Sequence, residues 1–197
     1  MTRTAASQVP LHPLLAERWS PRGFDRRHEV SDAELTALLE AARWAPSANN
    51  VQPWRFLVAR RGSADFGTLV ELLAPGNQVW AQHASALIAV VAETRDENGN
   101  PRSHALYDTG QAVAQLVAQA QAEGLVTHQM GGFDADATRT AFALSDELTP
   151  VVVIAVGAHD ADADLPEPFA ARETAPRTRR PLDELLLNVA GKDVRAA

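Results

Sequence analysis

Two uninterrupted apolar stretches, Ala86–Ala92 and Val151–Ala158, constrain this chain more than any other feature. Both fall far short of the ~20 residues that a membrane-spanning helix requires. Neither alternates with polar residues, which is the pattern of a strand covered on both faces. A sheet built on such strands needs helical cover, and the rest of the chain supplies it. Ser31-Asp32-Ala33-Glu34 is a capping box ahead of Leu35, Leu38, Leu39 and Ala42 on one helical face, with Pro46 ending the segment. A long helix over 103–123 is expected to bury Leu106, Val113, Leu116, Val117 and Ala120 and to stop at Gly124. Shorter helices are expected over His12–Trp19, Phe66–Ala74, Gln78–His83 and Asp134–Leu144, and strands over Trp54–Ala59 and Leu125–Met130. The expected fold class is α+β, a central mixed or antiparallel sheet flanked by helices. It would form one domain over 11–197, after a flexible arm at 1–10. Residues 159–181 hold several prolines and no apolar periodicity, so the C-terminal segment either lies along a partner subunit or is an exposed tail.

The chain has no cysteine, which excludes disulfide scaffolds, thiolate metal sites and cysteine nucleophiles. Its six histidines show no H-x₃-H or H-E-x-x-H spacing, and Asp160, Asp162 and Asp164 lack the glycine and glutamate of a calcium loop, so no metal site is expected. A formal charge of −7 argues against nucleic acid as a partner. The N-terminus shows no signal-peptide pattern, and a cytoplasmic protein is expected. Lys192 is the only lysine, so a phosphate site here must be built from guanidinium groups.

Two short stretches carry chemistry. Arg18-Trp19-Ser20-Pro21-Arg22 sets two arginines four apart around a hydroxyl, an arrangement that can converge on one small anion or simply remain solvated. Pro46-Ser47-Ala48-Asn49-Asn50-Val51-Gln52-Pro53-Trp54 joins a helix to a strand through two φ-fixing prolines. It can present amides and a hydroxyl to a polar heterocycle, or serve as an Asn-rich connector. Tyr107 and Asp108, at the start of the long helix, read as core or capping residues.

The R-x-S-x-R and A-P-S-x-x-N-x-Q-P-W-R-F patterns, Gly76-Asn77-Gln78-x-Trp80, His128-Gln129-Met130-Gly131-Gly132-Phe133-Asp134 and Arg177-x-Arg179-Arg180-Pro181 follow one another in order. Together they resemble the nitroreductase family of FMN-dependent oxidoreductases, from residue 12 to about 185. The resemblance implies a nitroreductase-like fold, and a homodimer with FMN at the subunit interface and a C-terminal tail extending onto the partner. It places Arg18 at the phosphate, Ser20 between phosphate and ribityl chain, and Arg22 at the N1/C2=O edge of the ring. Arg177 and Arg179 match a basic pair that clamps the phosphate, and Asn77 a position bonding the ring or ribityl chain. Pro46, Ser47, Ala48 and Asn50 correspond to a loop contributed by the other subunit. Gln129, Met130, Gly131 and Gly132 match the stretch lining the ring.

Three positions depart from the family pattern. Ala48 replaces a frequent serine, Trp80 stands where some members carry lysine, and Gly131 replaces a glutamate. The implied activity is a ping-pong transfer of hydride from NAD(P)H through flavin N5 to an electron-poor acceptor such as a nitroaromatic, quinone or enone. The flavin carries the chemistry, with Arg22 as an electrostatic stabiliser and no catalytic side chain named. Loop 95–104, with Arg102 and His104, would set acceptor choice. A non-catalytic FMN carrier or sensor, or a specialised flavin dehydrogenase or dehalogenase, is the alternative.

Overall fold

The computed structural model describes residues 3–187. Four strands, β1 (Trp54–Arg60), β2 (Ala86–Glu93), β3 (Val126–Met130) and β4 (Leu148–Gly157), form one sheet in the order β1-β2-β4-β3. Every pairing is antiparallel. The two apolar stretches are therefore the central strands. Their alternate residues separate into two cores: Ala86, Ile88, Val90, Ile154 and Val156 on one face, and Leu87, Ala89, Val153 and Ala155 on the other.

Helices α2 (Asp32–Arg43) and α5 (Ala105–Ala122) cover the first face, and α3 (Ala64–Leu72) and α4 (Pro75–Ala81) the second. The capping box forms as the sequence predicts, with Ser31 Oγ accepting from Glu34 N–H and Glu34 accepting from Ser31 N–H. Helix α5 buries Ala105, Asp108, Thr109, Ala112, Val113, Leu116, Val117 and Ala120, a 3–4 spacing that defines one stripe. Leu106 falls off that stripe and is exposed, contrary to expectation, and so is Tyr107.

Element ends differ where tertiary contacts compete. Helix α1 spans only Pro13–Ala16. The carbonyl of Ala16 accepts from Ala5 N–H at 2.7 Å and from Arg177 at 2.9 Å, so it is taken before another turn can use it. Helix α4 starts at Pro75, not Gln78, because proline is favoured in a first turn. Strand β4 begins three residues early, since Leu148 and Thr149 still pair with Glu93 and Ala92 beyond a register shift at Val90/Val91. Helix α6 (Ala135–Ala141) ends before Ala143, which has a left-handed φ of 48°.

The segment after β4 includes a short helix, α7 (Phe169–Thr174). It runs beside the chain's own N-terminal segment. Arg3 donates to Ala175 O, and Arg177 to the carbonyls of Arg3, Ala16 and Arg18. Leu182, Leu185, Leu186 and Leu187 are exposed.

Candidate flavin site

Beyond Gly157, the chain pairs with residues 23–25. Asp25 N–H donates to Ala158 O at 3.0 Å and Asp160 N–H to Gly23 O at 3.1 Å. The approach is so close that a Cβ on Gly23 would lie 2.4 Å from Asp160 O. This pairing sets Arg18–Arg22 beside β3 and α4. His128 of β3 completes the join, with Nδ1 donating to Pro21 O at 2.9 Å, which requires the proton on that nitrogen. Its ring lies 4.4 Å from Trp80. Burial pushes His128 down to about 4, and the Arg22 and Arg18 charges act in the same direction.

Arg18 donates to Ser20 Oγ at 3.2 Å. Its guanidinium lines a cavity of about 240 Å³ together with Arg177, Arg179, Leu11 and Leu15. No carboxylate lies within ion-pair reach of any of the three arginines among the described residues. Burial, then the Arg177 and Arg179 charges, hold Arg18 below its ordinary value. Three mutually repelling cations around one cavity have the chemistry to take a multiply charged anion, which would relieve the repulsion. The three are not alike. Arg177 spends its donors on backbone carbonyls at 2.8 and 2.9 Å, so it also ties its own segment to residues 16–18. Arg179 is exposed and, among the described residues, donates to Thr178 O.

Arg22 is set differently. Its backbone N–H donates to Glu173 Oε1 at 2.8 Å, and its guanidinium lies 3.8 Å from the same carboxylate and 5.9 Å from the Trp80 ring. Burial lowers its pKa, and Glu173 works against that shift. Trp80 itself is fully buried, stacked on Phe24 at 6.2 Å, so it fills the core instead of bordering an open edge.

The neighbouring strip, 129–134, is stapled to the α3–α4 connection. Gly132 O accepts from Ala74 N–H at 2.9 Å and from Asn77 Nδ2 at 3.1 Å. A Cβ on Gly132 would sit 3.2 Å from Asn77 Nδ2, whereas one on Gly131 would meet nothing. Gln129 is exposed, but the Met130 side chain is in the core, which leaves only its backbone to face the strip.

The Pro46–Asn50 loop stands elsewhere. It enters β1, which with β3 forms the two edges of the sheet, about 14 Å apart at three strand spacings. Asn49, Asn50 and Gln52 have left-handed φ of 52°, 57° and 51°, a conformation that the fold must hold in place. Ser47 Oγ accepts from Gln52 N–H at 3.0 Å, and Asp108 Oδ2 from Ala48 N–H at 3.0 Å. Stiffness therefore comes from these bonds as well as from the prolines. The loop and residues 101–105 line a second cavity, of about 160 Å³, which shares no lining residue with the arginine cavity. Trp44, Val51, Leu106 and Tyr107 are exposed on the elements around it.

Sequence reasoning missed one anchor, Glu173, and did not find the partners of two others, Asp108 and His128. Asp108 was visible as an acidic residue on an apolar helical face, although its partner was not. His128 stood in the 128–134 pattern, but its partner lies 107 residues away, and Glu173, whose partner lies 151 residues away, carries no local signal. Among the described residues, no group of three or more His, Asp or Glu could hold a metal ion, and no helix is long and apolar enough to cross a membrane.

Comparison with known proteins bears on the family and the fold. The model of the nitroreductase family matches residues 15–74 and 66–158. An uncharacterized 15.4 kDa protein of Mycolicibacterium smegmatis is 39% identical over 139 residues, 66% of this chain and 92% of that one. An oxygen-insensitive NADPH nitroreductase of Helicobacter pylori is 35% identical over 91 residues, 46% of this chain and 42% of that one. A crystal structure described as an oxidoreductase containing FMN is 36% identical and superposes with a TM-score of 0.87 over 94% of each chain. A Desulfovibrio desulfuricans protein crystallised with FMN is 27% identical, with a TM-score of 0.74 over 93% of this chain and 98% of that one.

Proposed function

Because this chain belongs to the nitroreductase family, we propose that it is an FMN-dependent oxidoreductase, passing electrons from NADH or NADPH to an electron-poor small molecule in two successive half-reactions at one site. The observation that carries this reading is the cavity of Arg18, Arg177 and Arg179, which has no carboxylate among its lining residues. A phosphate monoester brings −1.5 to −2 charges near neutral pH, a match for guanidiniums that otherwise repel one another. Bound FMN would supply a ring able to take up two electrons and release them to an acceptor.

The chain's own residues bind and orient that group. Arg18 and Arg179 hold the phosphate, while Arg177 closes the cavity and fixes its wall through three backbone carbonyls. Ser20, bonded to Arg18, borders the phosphate end. Asn77 and the Gly131–Gly132 backbone edge the ring, and the bare Gly131 leaves open space above it. Arg22 supplies a cation in a half-buried position, where its field is screened less than in water.

Pro46, Ser47, Ala48 and Asn50 lie across the sheet from these residues, so a second copy of the chain contributes them, giving a homodimer with two sites. The exposed apolar residues beside that loop, Trp44, Val51, Leu106 and Tyr107, would be covered in this assembly.

Purification tests the reading directly. The protein is expected to bind FMN, and anaerobic NADH or NADPH should bleach it within seconds; a carrier or sensor would stay coloured. Arg18→Ala and Arg179→Ala should each weaken FMN binding about tenfold to a hundredfold, the loss of ~1.5–3 kcal/mol from one charge-assisted bond. These are better probes than Arg177→Ala, which would also free three carbonyls. Unchanged affinity in both variants would refute the assignment.

A further inference from the structure

Glu173 has no part in the cofactor contacts above, yet among the described residues it is the acidic side chain in contact with Arg22. Its carboxylate accepts the Arg22 N–H at 2.8 Å through Oε1 and the Gly23 N–H at 3.5 Å through Oε2, and lies 3.8 Å from the Arg22 guanidinium. Both side chains are partly buried, with 20% of Arg22 and 15% of Glu173 exposed. It reaches this place from α7, in a segment with no pattern of its own, and forms one wall of a cavity of about 450 Å³ with Trp19, His159 and Asp160. A merely structural tether would need only an acceptor for two amides. A full carboxylate beside a half-buried guanidinium does more, because it offsets the charge of that cation toward anything the cation faces.

We infer that Glu173 is a positioning residue which holds Arg22 at the flavin edge and tempers its charge, thereby lowering the reduction potential of the bound flavin. The inference rests on the FMN reading above. Its sign follows from charge. Two-electron reduction places negative charge on the ring; Arg22 favours that state, and a carboxylate paired with Arg22 disfavours it.

The test is a potentiometric titration of the FMN-loaded protein against dyes of known potential. Glu173→Gln keeps a side-chain oxygen for the Arg22 amide and removes the charge. It should keep FMN occupancy at the wild-type level and favour reduced over oxidised flavin about tenfold more, a positive shift of about 30 mV for a two-electron couple. Glu173→Ala should show the same direction of shift together with weaker FMN binding, because the tether is also lost. If that variant fails to fold, the glutamine variant decides alone. A potential unchanged in Glu173→Gln overturns the inference and leaves the FMN reading standing. A wild-type protein that takes up no FMN overturns both.

Discussion

Lowering the pH should destabilise this protein in a way that His128 alone accounts for in part. The imidazole has a pKa of about 4 in the folded chain and 6.5 when free of its surroundings. As pH falls below 6.5, the unfolded chain takes up a proton that the folded one refuses, so stability declines until the folded pKa is reached. At about 1.4 kcal/mol per pH unit, the loss from this residue is ~1.4 kcal/mol at pH 5.5 and ~3 kcal/mol at pH 4. Carboxylates also titrate there, so the measurement must be a difference. Asn at position 128 can place a side-chain N–H where Nδ1 donates to Pro21 O, and it does not titrate. Urea unfolding of wild type and His128→Asn, from pH 7.5 to 4, should show the variant less stable at neutral pH, where it loses ring packing on Trp80. That gap should close or reverse by ~3 kcal/mol toward pH 4. A gap that stays constant across the range would mean that the ring is not held neutral, and the account of the Arg18–Arg22 anchor would fail with it.

Two further outcomes follow from the geometry. Gly23→Ala should cost ~2–3 kcal/mol by forcing the 23–25 and 158–160 segments apart; a urea midpoint equal to wild type at unchanged slope would show that the contact can yield. Asp108→Ala should leave the Ala48 N–H without its partner, cost ~1–3 kcal/mol and speed hydrogen exchange at that amide. Asp108→Asn, which retains an acceptor, should exchange like wild type, and equal rates in all three proteins would refute the anchoring role.

Local signals carried a good part of the fold. The two apolar stretches announced the central strands because burial on both faces leaves no place for polar alternation, and the Ser31–Glu34 box marked a helix start because its bonds close within four residues. Element ends were less legible. Ala16 O could have continued a helix, but Ala5 and Arg177 claim it, and neither is visible from the Pro13–Ala16 window. Leu106 was misplaced because hydrophobicity alone does not say which side of α5 meets the sheet; the stripe through Ala105, Asp108 and Thr109 settles that.

The site divides along the same line. Residue types near one another in the chain, such as Arg18, Ser20 and Arg22, were compatible with anion binding or with plain solvation, and because lysine is all but absent any phosphate site had to use guanidinium. Only tertiary structure decided that Arg177 braces the cavity with backbone bonds, that Trp80 belongs to the core, and that Glu173 meets Arg22. Those outcomes depend on which distant groups share a small volume, and a carboxylate 151 positions away leaves no trace in local spacing. Pattern reports the forces that act within a few residues; the folded chain selects which partners those forces reach.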